Sequence, residues 1–374
     1  MVKDLDISAN KLTVQYLALK VFSNTGGIEQ VAKNWLFAFN NFDITFKAQV
    51  LYDNDYDERY IDKNKIAYFN NSKIKFIVDA IRFGIKADVL VISHIHLSTI
   101  AVVLKILNPK IKIHVQLHGI EAWNKFSYVQ SLCLKLANSI FSVSNYTKNR
   151  VLDNYPEFKT KSHVIPNTLD PLKRYVINSE MRNNKRTSLN LNATDKLMIT
   201  VCRLDSSESY KGYDQVINAI FKIDDTRLFY HIIGKYDKRE RDRVIQIVDS
   251  LNLSSRVKII GYVDDNELEH YYQAADLLIM PSKGEGFGLV FIEAMARGLR
   301  VIAGNKDGSY DAVNGFAFSA LVDPDSTESI RNAIINIISS NSETSEKEAL
   351  SKECLNKFHS ETLIDGVNKI LSWK

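Results

Sequence analysis

The chain has 374 residues, 45% of them hydrophobic and 25% charged, with 48 Lys and Arg against 44 Asp and Glu for a net charge of +4. This length suggests about two domains, and the composition excludes a disordered or low-complexity chain. The weak positive charge does not point to nucleic acid as a partner. Cys133, Cys202 and Cys354 show no CxxC spacing, so neither a disulfide framework nor a zinc site is expected, and a cytoplasmic, reducing setting is the simplest one. The N-terminal stretch MVKDLDISANKL lacks the apolar segment of a signal peptide. No apolar run reaches the ~20 residues of a membrane span.

Short apolar runs alternate with helical stretches along the chain. Strands are predicted at 13–22, 88–93, 111–117, 139–143 and 163–165, with helices at 27–40, 71–84, 97–107, 125–137 and 145–153. Residues 167–195 are polar and Asn-rich, and a linker is predicted over 169–195 between a first domain, 1–168, and a second, 196–345. The second series predicts strands at 196–202, 228–233, 256–260, 276–280 and 299–303, and helices at 212–222, 237–251, 265–274, 287–297 and 326–340. Residues 346–374 read as C-terminal helices that pack back on the first domain, with apolar positions at Leu355, Phe358, Leu363, Val367, Ile370, Leu371 and Trp373. Strands alternating with helices predict an α/β fold of two doubly wound, Rossmann-like domains facing across a cleft.

The charge is uneven along the chain. Residues 1–168 hold 21 Lys and Arg against 14 Asp and Glu, a net +7, and the remaining 27 and 30 give −3. Either the charges are scattered without function, or the first half faces something anionic, such as a charged acceptor or a membrane surface.

The richest segment is DLLIMPSKGEGFGLVFIEAMARGLRVIA, 276–303. It reads as strand, Gly-rich loop, helix and strand. Gly284, Gly286 and Gly288 allow a tight turn and close approach of a ligand. N–H groups at Phe287, Gly288 and Leu289 can meet phosphate oxygens. Glu285, an acid inside that loop, is better matched to sugar hydroxyls than to phosphate. Glu293, about two turns further on, can reach a ribose hydroxyl pair. Singly, each reads as a loop acid or a solvated helix charge; the pair in this glycine setting reads as a ligand site.

GEGFGLVFIEAMARG closely resembles the signature of retaining glycosyltransferases of the GT-B fold, specifically glycosyltransferase family 4, with its two Glu separated by seven residues. The resemblance extends to VCRLDSSESYKGYDQVINAI (201–220), VKIIGYVDDNELEHYYQAADLLIMPS (257–282), VIPNTLD (164–170) and, more loosely, SNTGGIEQVAKN (23–34). It implies catalytic roles for Glu285, His118, Arg203 and Lys211, the two cations binding the donor diphosphate. It implies donor contacts by Gly26, Gly27, Val263, Gly286, Phe287, Gly288, Leu289 and Glu293, and an acceptor contact by His94. The gap between Arg203 and Lys211 is longer than in the family. Where many members carry a Glu, the sequence gives YDAV, with Asp311 the nearest acid. His94 and His96 form an HIH pair with no third ligand at metal spacing, so no metal is expected.

The resemblance implies transfer of a hexose-type sugar, with retention, from a nucleotide-diphosphate donor of uridine or guanosine type to a hydroxyl of a glycan or lipid-linked glycan acceptor. The setting would be cell-surface polysaccharide synthesis, with no further cofactor. The localisation would be cytoplasmic, with peripheral contact to an anionic inner membrane face. A sugar-nucleotide epimerase on the same fold, or a catalytically silent sugar-nucleotide-binding partner, remain as alternatives. A dinucleotide dehydrogenase is disfavoured because no GxGxxG follows the first strand.

Overall fold

The computed structural model describes residues 11–23, 26–339 and 343–372. The chain divides into two units. Unit 1 is Met1–Leu172 with Ser360–Lys374, and unit 2 is Lys173–His359.

Unit 1 runs β1 Thr13–Ala18, α1 Gly27–Phe39, β2 Thr45–Val50, β3 Ile66–Tyr68, α2 Lys73–Gly84, β4 Val89–Ile92, α3 Ser98–Leu107, β5 Lys112–Leu117, α4 Tyr128–Leu136, β6 Ser139–Ser142, α5 Asn145–Asn154 and β7 Ser162–Val164. Its seven strands are parallel in the order β3-β2-β1-β4-β5-β6-β7. The central strands are near-continuous apolar runs because both faces are covered by helices; Leu90, Ile92, Ile113, Val115 and Ile140 sit in the core. The order reverses between β1 and β4, so the loops after these strands open at a topological switch point.

Unit 2 begins with α6 Ser179–Ser188 and continues β8 Lys196–Val201, α7 Tyr213–Phe221, β9 Leu228–Ile233, α8 Lys238–Ser250, β10 Val257–Gly261, α9 Asp265–Ala274, β11 Leu277–Met280, α10 Leu289–Met295, β12 Arg300–Gly304, α11 Ser309–Val313, β13 Ser319–Val322, α12 Thr327–Ser339 and α13 Thr344–Phe358. Six parallel strands lie in the order β10-β9-β8-β11-β12-β13, with the reversal between β8 and β11. Met198, Tyr230, Ile232, Leu277, Ile279 and Ile302 form the core beneath α7 and α12.

Three departures from the sequence reading have physical causes. The stretch expected as a polar linker contains α6. Asn178 caps this helix through Met181 N–H, and Arg182 donates to the carbonyls of Gln273, Ala274 and Ala275 at the end of α9 and to Asp276. The helix is anchored by guanidinium groups, not by an apolar stripe, so periodicity does not reveal it. Strand β2 also escapes the reading because it buries polar side chains; Gln49 accepts from Gln15 Nε2 (2.6 Å) and donates to Asp79 (2.6 Å). Strands β3 and β13 are edge strands whose residues are mostly half-buried, so neither forms the continuous apolar run of a central strand.

The two C-terminal helices divide between the units. Helix α13 packs on α10 in unit 2, and α14 (Ser360–Ser372) packs on α1 in unit 1, with Gly366 set against Ile165. Leu363, Val367 and Ile370 are its buried face; Trp373 lies outside the described residues.

Candidate functional site

In unit 2 the expected site residues gather at the carboxyl ends of β8 and β11, on either side of the switch point. Arg203 follows β8, and Lys211 closes a short helical turn that ends at Gly212. Gly212 has φ +85°, and a Cβ there would stand 2.3 Å from the Pro281 carbonyl oxygen. The loop after β8 is thus pressed against the loop after β11, and only glycine fits at the contact. Lys283 N–H donates to Tyr210 O (3.0 Å), and the Tyr210 ring lies where a Gly284 side chain would be.

The two loops exchange charge. Lys211 Nζ is paired with Glu285 Oε1 and lies 3.8 Å from Glu208 Oε2, while Arg203 is paired with Glu208 Oε1. Lys211, Glu285 and Glu208 are largely buried, whereas the Arg203 side chain is 68% exposed. Burial pulls the Lys211 ammonium down, but the Glu285 charge outweighs it, and the pKa rises above its usual value.

The Gly-rich loop is pinned from a third strand. Asp307, in the loop after β12, is fully buried. It accepts from Ser282 Oγ (2.8 Å), Glu285 N–H (2.7 Å) and Ser309 N–H (2.9 Å). Gly308 N–H donates to Glu285 O (2.8 Å), and a Cβ on Gly308 would be 2.0 Å from the Gly286 carbonyl oxygen. Burial raises the Asp307 carboxyl to about 6, and the nearby Glu285 charge adds to the rise.

Gly288, at φ +86°, forms the N-cap of α10, and Phe291 packs against it. The helix spans Leu289–Met295, shorter at both ends than the predicted 287–297. Phe287 turns its ring into the core edge-on to Phe358 (5.6 Å), so only its backbone is available to a ligand. Glu293, on α10, accepts from the Tyr272 hydroxyl (3.1 Å), and Arg297 donates to its carbonyl oxygen (2.7 Å). Burial raises the Glu293 pKa despite the nearby charges of Lys173 and Arg297. Val263 follows β10 at the sheet edge, half-buried. Among the described residues, no hydrogen bond joins it to the Lys211–Glu285 cluster.

In unit 1 the expected residues also lie beyond strand carboxyl ends. Gly26 and Gly27 open α1. Neither has a positive φ; a Cβ on Gly27 would meet nothing within 4 Å, so the fold does not require glycine at that position, whereas a Cβ on Gly26 would stand 2.4 Å from the Glu29 carboxylate. Asn24 and Thr25, in the same loop, lie outside the described residues. His118 follows β5; its Nε2 donates to the Ser93 carbonyl (2.6 Å), which in the neutral ring leaves Nδ1 as the acceptor nitrogen. His94 follows β4, 6.4 Å from the His118 ring and 4.5 Å from His96. Its Nδ1 accepts from His96 N–H (3.2 Å). Burial lowers the His94 pKa to about 4, with the neighbouring histidines contributing. His114 is a core residue against Phe141 (5.9 Å). Among the described residues, no group of three or more His, Cys, Asp or Glu is placed to hold a metal.

Sequence reasoning missed four groups. Glu208 lies in the insertion between Arg203 and Lys211. Asp307, closer in sequence than Asp311 to β12, is bonded to the Gly-rich loop. Tyr272 partners Glu293 from α9. Asp53 accepts from Val21 N–H (2.9 Å), Phe22 N–H (2.7 Å) and Ser23 Oγ (2.6 Å) and so orders the loop after β1. Only Glu208 carried a signal, as an acid between two expected phosphate-binding cations.

Two parallel, doubly wound sheets flanked by helices are the GT-B architecture. The protein HepE of Anabaena, solved in complex with UDP, superposes with a TM-score of 0.81 at 18% identity over 96% of this chain and all of that one. The sucrose-phosphate synthase of Thermosynechococcus elongatus does so with a TM-score of 0.73 at 18% identity over 96% and 98%. Residues 181–353 match the family model of glycosyl transferases group 1. Match and fold together support a GT-B glycosyltransferase. An uncharacterised 41.2 kDa protein of the cps region of Klebsiella pneumoniae is 25% identical over 253 residues, 66% of this chain and 65% of its own. The mannosylfructose-phosphate synthase of Agrobacterium fabrum is 28% identical over 182 residues, 46% and 39%. The chain thus spans less than two thirds of the length of these relatives.

Proposed function

We propose that the chain is a retaining glycosyltransferase of family 4. It would move a hexose-type sugar from a nucleotide-diphosphate donor to a hydroxyl of a glycan or lipid-linked glycan in cell-surface polysaccharide synthesis. The observation that carries this is the Lys211–Glu285 contact. It joins the cationic loop after β8 to the Gly-rich loop after β11, at the switch point of a unit that matches the group 1 family. The relative from the cps region supports the polysaccharide setting, and the UDP-bound HepE a uridine-type donor.

The barrier in such a transfer is cleavage of the anomeric carbon–oxygen bond towards an oxocarbenium-like state, as negative charge grows on the leaving diphosphate. Arg203 and Lys211 are the groups to stabilise it. Because these side chains supply the positive charge, the scheme is metal-independent. The N–H groups of Gly286, Phe287, Gly288 and Leu289 would face the diphosphate, Glu293 the ribose, and Glu285 the sugar hydroxyls. Val263 would meet the base through its backbone. In unit 1, Gly26, Gly27 and His118 would serve the donor and His94 the acceptor. The acceptor hydroxyl would attack on the face the diphosphate leaves, its proton passing to the leaving phosphate.

We test the reading with Glu285→Ala and Arg203→Ala. Each should abolish transfer from a UDP- or GDP-sugar while the far-UV spectrum stays near the parent's; Glu285→Ala should also lower the melting temperature, because it leaves the buried Lys211 without its main partner. Turnover like that of the parent in either variant refutes the site. A thermal-shift series with UDP, GDP and ADP identifies the nucleotide, since ligand binding to the native state raises the melting temperature. No response to any of the three refutes the donor assignment.

The peripheral membrane contact belongs to the same proposal. No helix among the described residues is long and apolar enough to cross a membrane. Helix α2 buries Phe76, Ala80 and Gly84 but exposes a second apolar stripe, with Ile74 79% exposed beside Ile77, Val78 and Ile85. At the end of α3, Ile106 is 71% exposed beside Leu107. Asn108 Nδ2 donates to Gly84 O (3.3 Å) and Ala87 O (2.8 Å), so these two patches adjoin. Lys73, Lys75, Arg82, Lys86 and Lys110 stand exposed around them. Apolar side chains ringed by cations fit an anionic lipid surface.

A further inference from the structure

Unit 2 has a second polar cavity, of about 270 Å3, at the amino ends of its strands. Lys196 at the start of β8, Asp276 just before β11 and Arg300 at the start of β12 line it, with Arg182, Arg297 and Lys347. Arg203, Lys211 and the Gly-rich loop lie beyond the carboxyl ends of the same sheet. The cavity therefore stands apart from the diphosphate-binding groups, and it approaches the proposed donor site only where Tyr272 and Arg297 form part of its wall.

Its charges do not balance. Arg297 is paired with Glu269 (2.7 Å) and Arg300 with Glu346 (2.7 Å). Asp276 serves two guanidinium groups at once, Arg182 (2.7 Å) and Arg186 (3.1 Å). The arginines have structural work to do. Arg182 covers the carbonyls that end α9, and Arg300 donates to Ile337 O at the end of α12 (2.7 Å). The lysines do not. Neither the Lys196 nor the Lys347 ammonium has a hydrogen-bond or ion-pair partner among the described residues, and Lys347 is half-buried. Burial, reinforced by Arg182 and, more weakly, by Arg300 and Arg186, pushes the Lys347 pKa down against the opposing charge of Asp276. Such a surplus of positive charge is unfavourable unless an anion relieves it.

We infer that this cavity is a second anion site, taking the phosphate group of inorganic phosphate or of a small phosphomonoester. The guanidinium groups fix its walls, and the two lysines supply the free donors. The volume lies just below the range of pockets that hold drug-sized ligands, which suits a small phosphate compound and not a nucleotide sugar.

The experiment is a thermal-shift titration of the full chain with potassium phosphate against potassium chloride at matched ionic strength, repeated with glycerol 1-phosphate. The inference expects a saturable rise in melting temperature with at least one of the two. The tighter of them identifies the source as free phosphate or as an ester. Lys347→Met and Lys196→Met keep the apolar stems and should each weaken the response about tenfold, the loss of one charge-assisted hydrogen bond. An Arg203→Ala/Lys211→Ala double variant should leave it unchanged. The inference is overturned by a response that does not saturate, by one that both methionine variants retain in full, or by one that the double variant removes.

Discussion

Asp307 offers the sharpest physical test of the Gly-rich loop. Its carboxyl is raised from 3.8 to about 6, chiefly by burial, even though it accepts hydrogen bonds from Ser282, Glu285 and Ser309. At 1.36 kcal/mol per unit, holding this group ionised at neutral pH costs about 3 kcal/mol of folding stability. The folded-state pKa lies above the unfolded one, so the native state binds the proton more tightly. Stability is recovered as the pH falls through about 6 and fully present below the ordinary carboxyl value; it is lost again as the pH rises. Asp307→Asn removes the titration while its amide oxygen can still accept from Ser282 and Glu285. The unfolding free energy of the parent minus that of the variant should therefore grow as the pH falls, by about 1.4 kcal/mol between pH 7.5 and pH 5. Urea-dependent hydrogen exchange at unit 2 peptides measures both proteins, and titrations common to them cancel in the difference. A difference that is flat, or that shrinks towards acid, refutes the reasoning. Activity should move the other way. Protonation weakens the acceptor that holds Glu285 N–H, so the parent should lose kcat below about pH 6, and the asparagine variant should show no such acid limb.

Other changes have equally definite outcomes. Glu208→Gln removes the carboxylate shared by Arg203 and Lys211 and should tighten UDP binding roughly threefold in calorimetry while leaving uridine unaffected; weaker UDP binding would show that Glu208 orders the cations instead of competing for them. Gly212→Ala places a methyl 2.3 Å from Pro281 O at φ +85° and should destabilise unit 2 by about 2 kcal/mol or more, seen as a lower urea midpoint. Ile74→Glu with Ile106→Glu should abolish flotation with anionic liposomes and leave transfer to a soluble acceptor intact; undiminished flotation removes α2 and α3 from the membrane proposal.

What the sequence made legible were features whose cause is local. DLLIM and LRVIA are buried on both faces and so read as apolar runs, and Gly288 stands where a non-glycine residue would be strained. Alternation in IKIHVQLHG puts His114 and His118 on one face, and position along the strand separates them: His114 lies within β5 in the core, and His118 just past its carboxyl end. Asp307 was illegible because its role exists only once β12 has been laid beside β11. Only then does the loop after one strand meet the loop after the other, and nothing in GNKDGS announces it. Helix α6 was illegible for a related reason. Its stability comes from guanidinium bonds to the end of α9, about 90 residues away in sequence, and a periodicity search weighs only apolar spacing.

The charge arrangement of unit 2 sharpens what donor binding must do. Residues 173–359, which form this unit, hold 25 Lys and Arg against 27 Asp and Glu, a net −2, yet the two cations proposed for a diphosphate each hold a carboxylate. Because the four charges sum to zero, a diphosphate would gain the full attraction of the two cations only by displacing an acid. The two acids are not held alike. Glu285 sits in a loop whose N–H is bonded to Asp307 and whose carbonyl is bonded to Gly308, and it is fixed where sugar hydroxyls would be read. Glu208 lies in the insertion, where, among the described residues, its backbone bonds only Asp205 and Lys211 within the same loop. On the proposed function, Glu208 would therefore be the group that gives way. The insertion that lengthens the Arg-to-Lys spacing would then act as an internal anion, keeping the cations paired until the diphosphate displaces it.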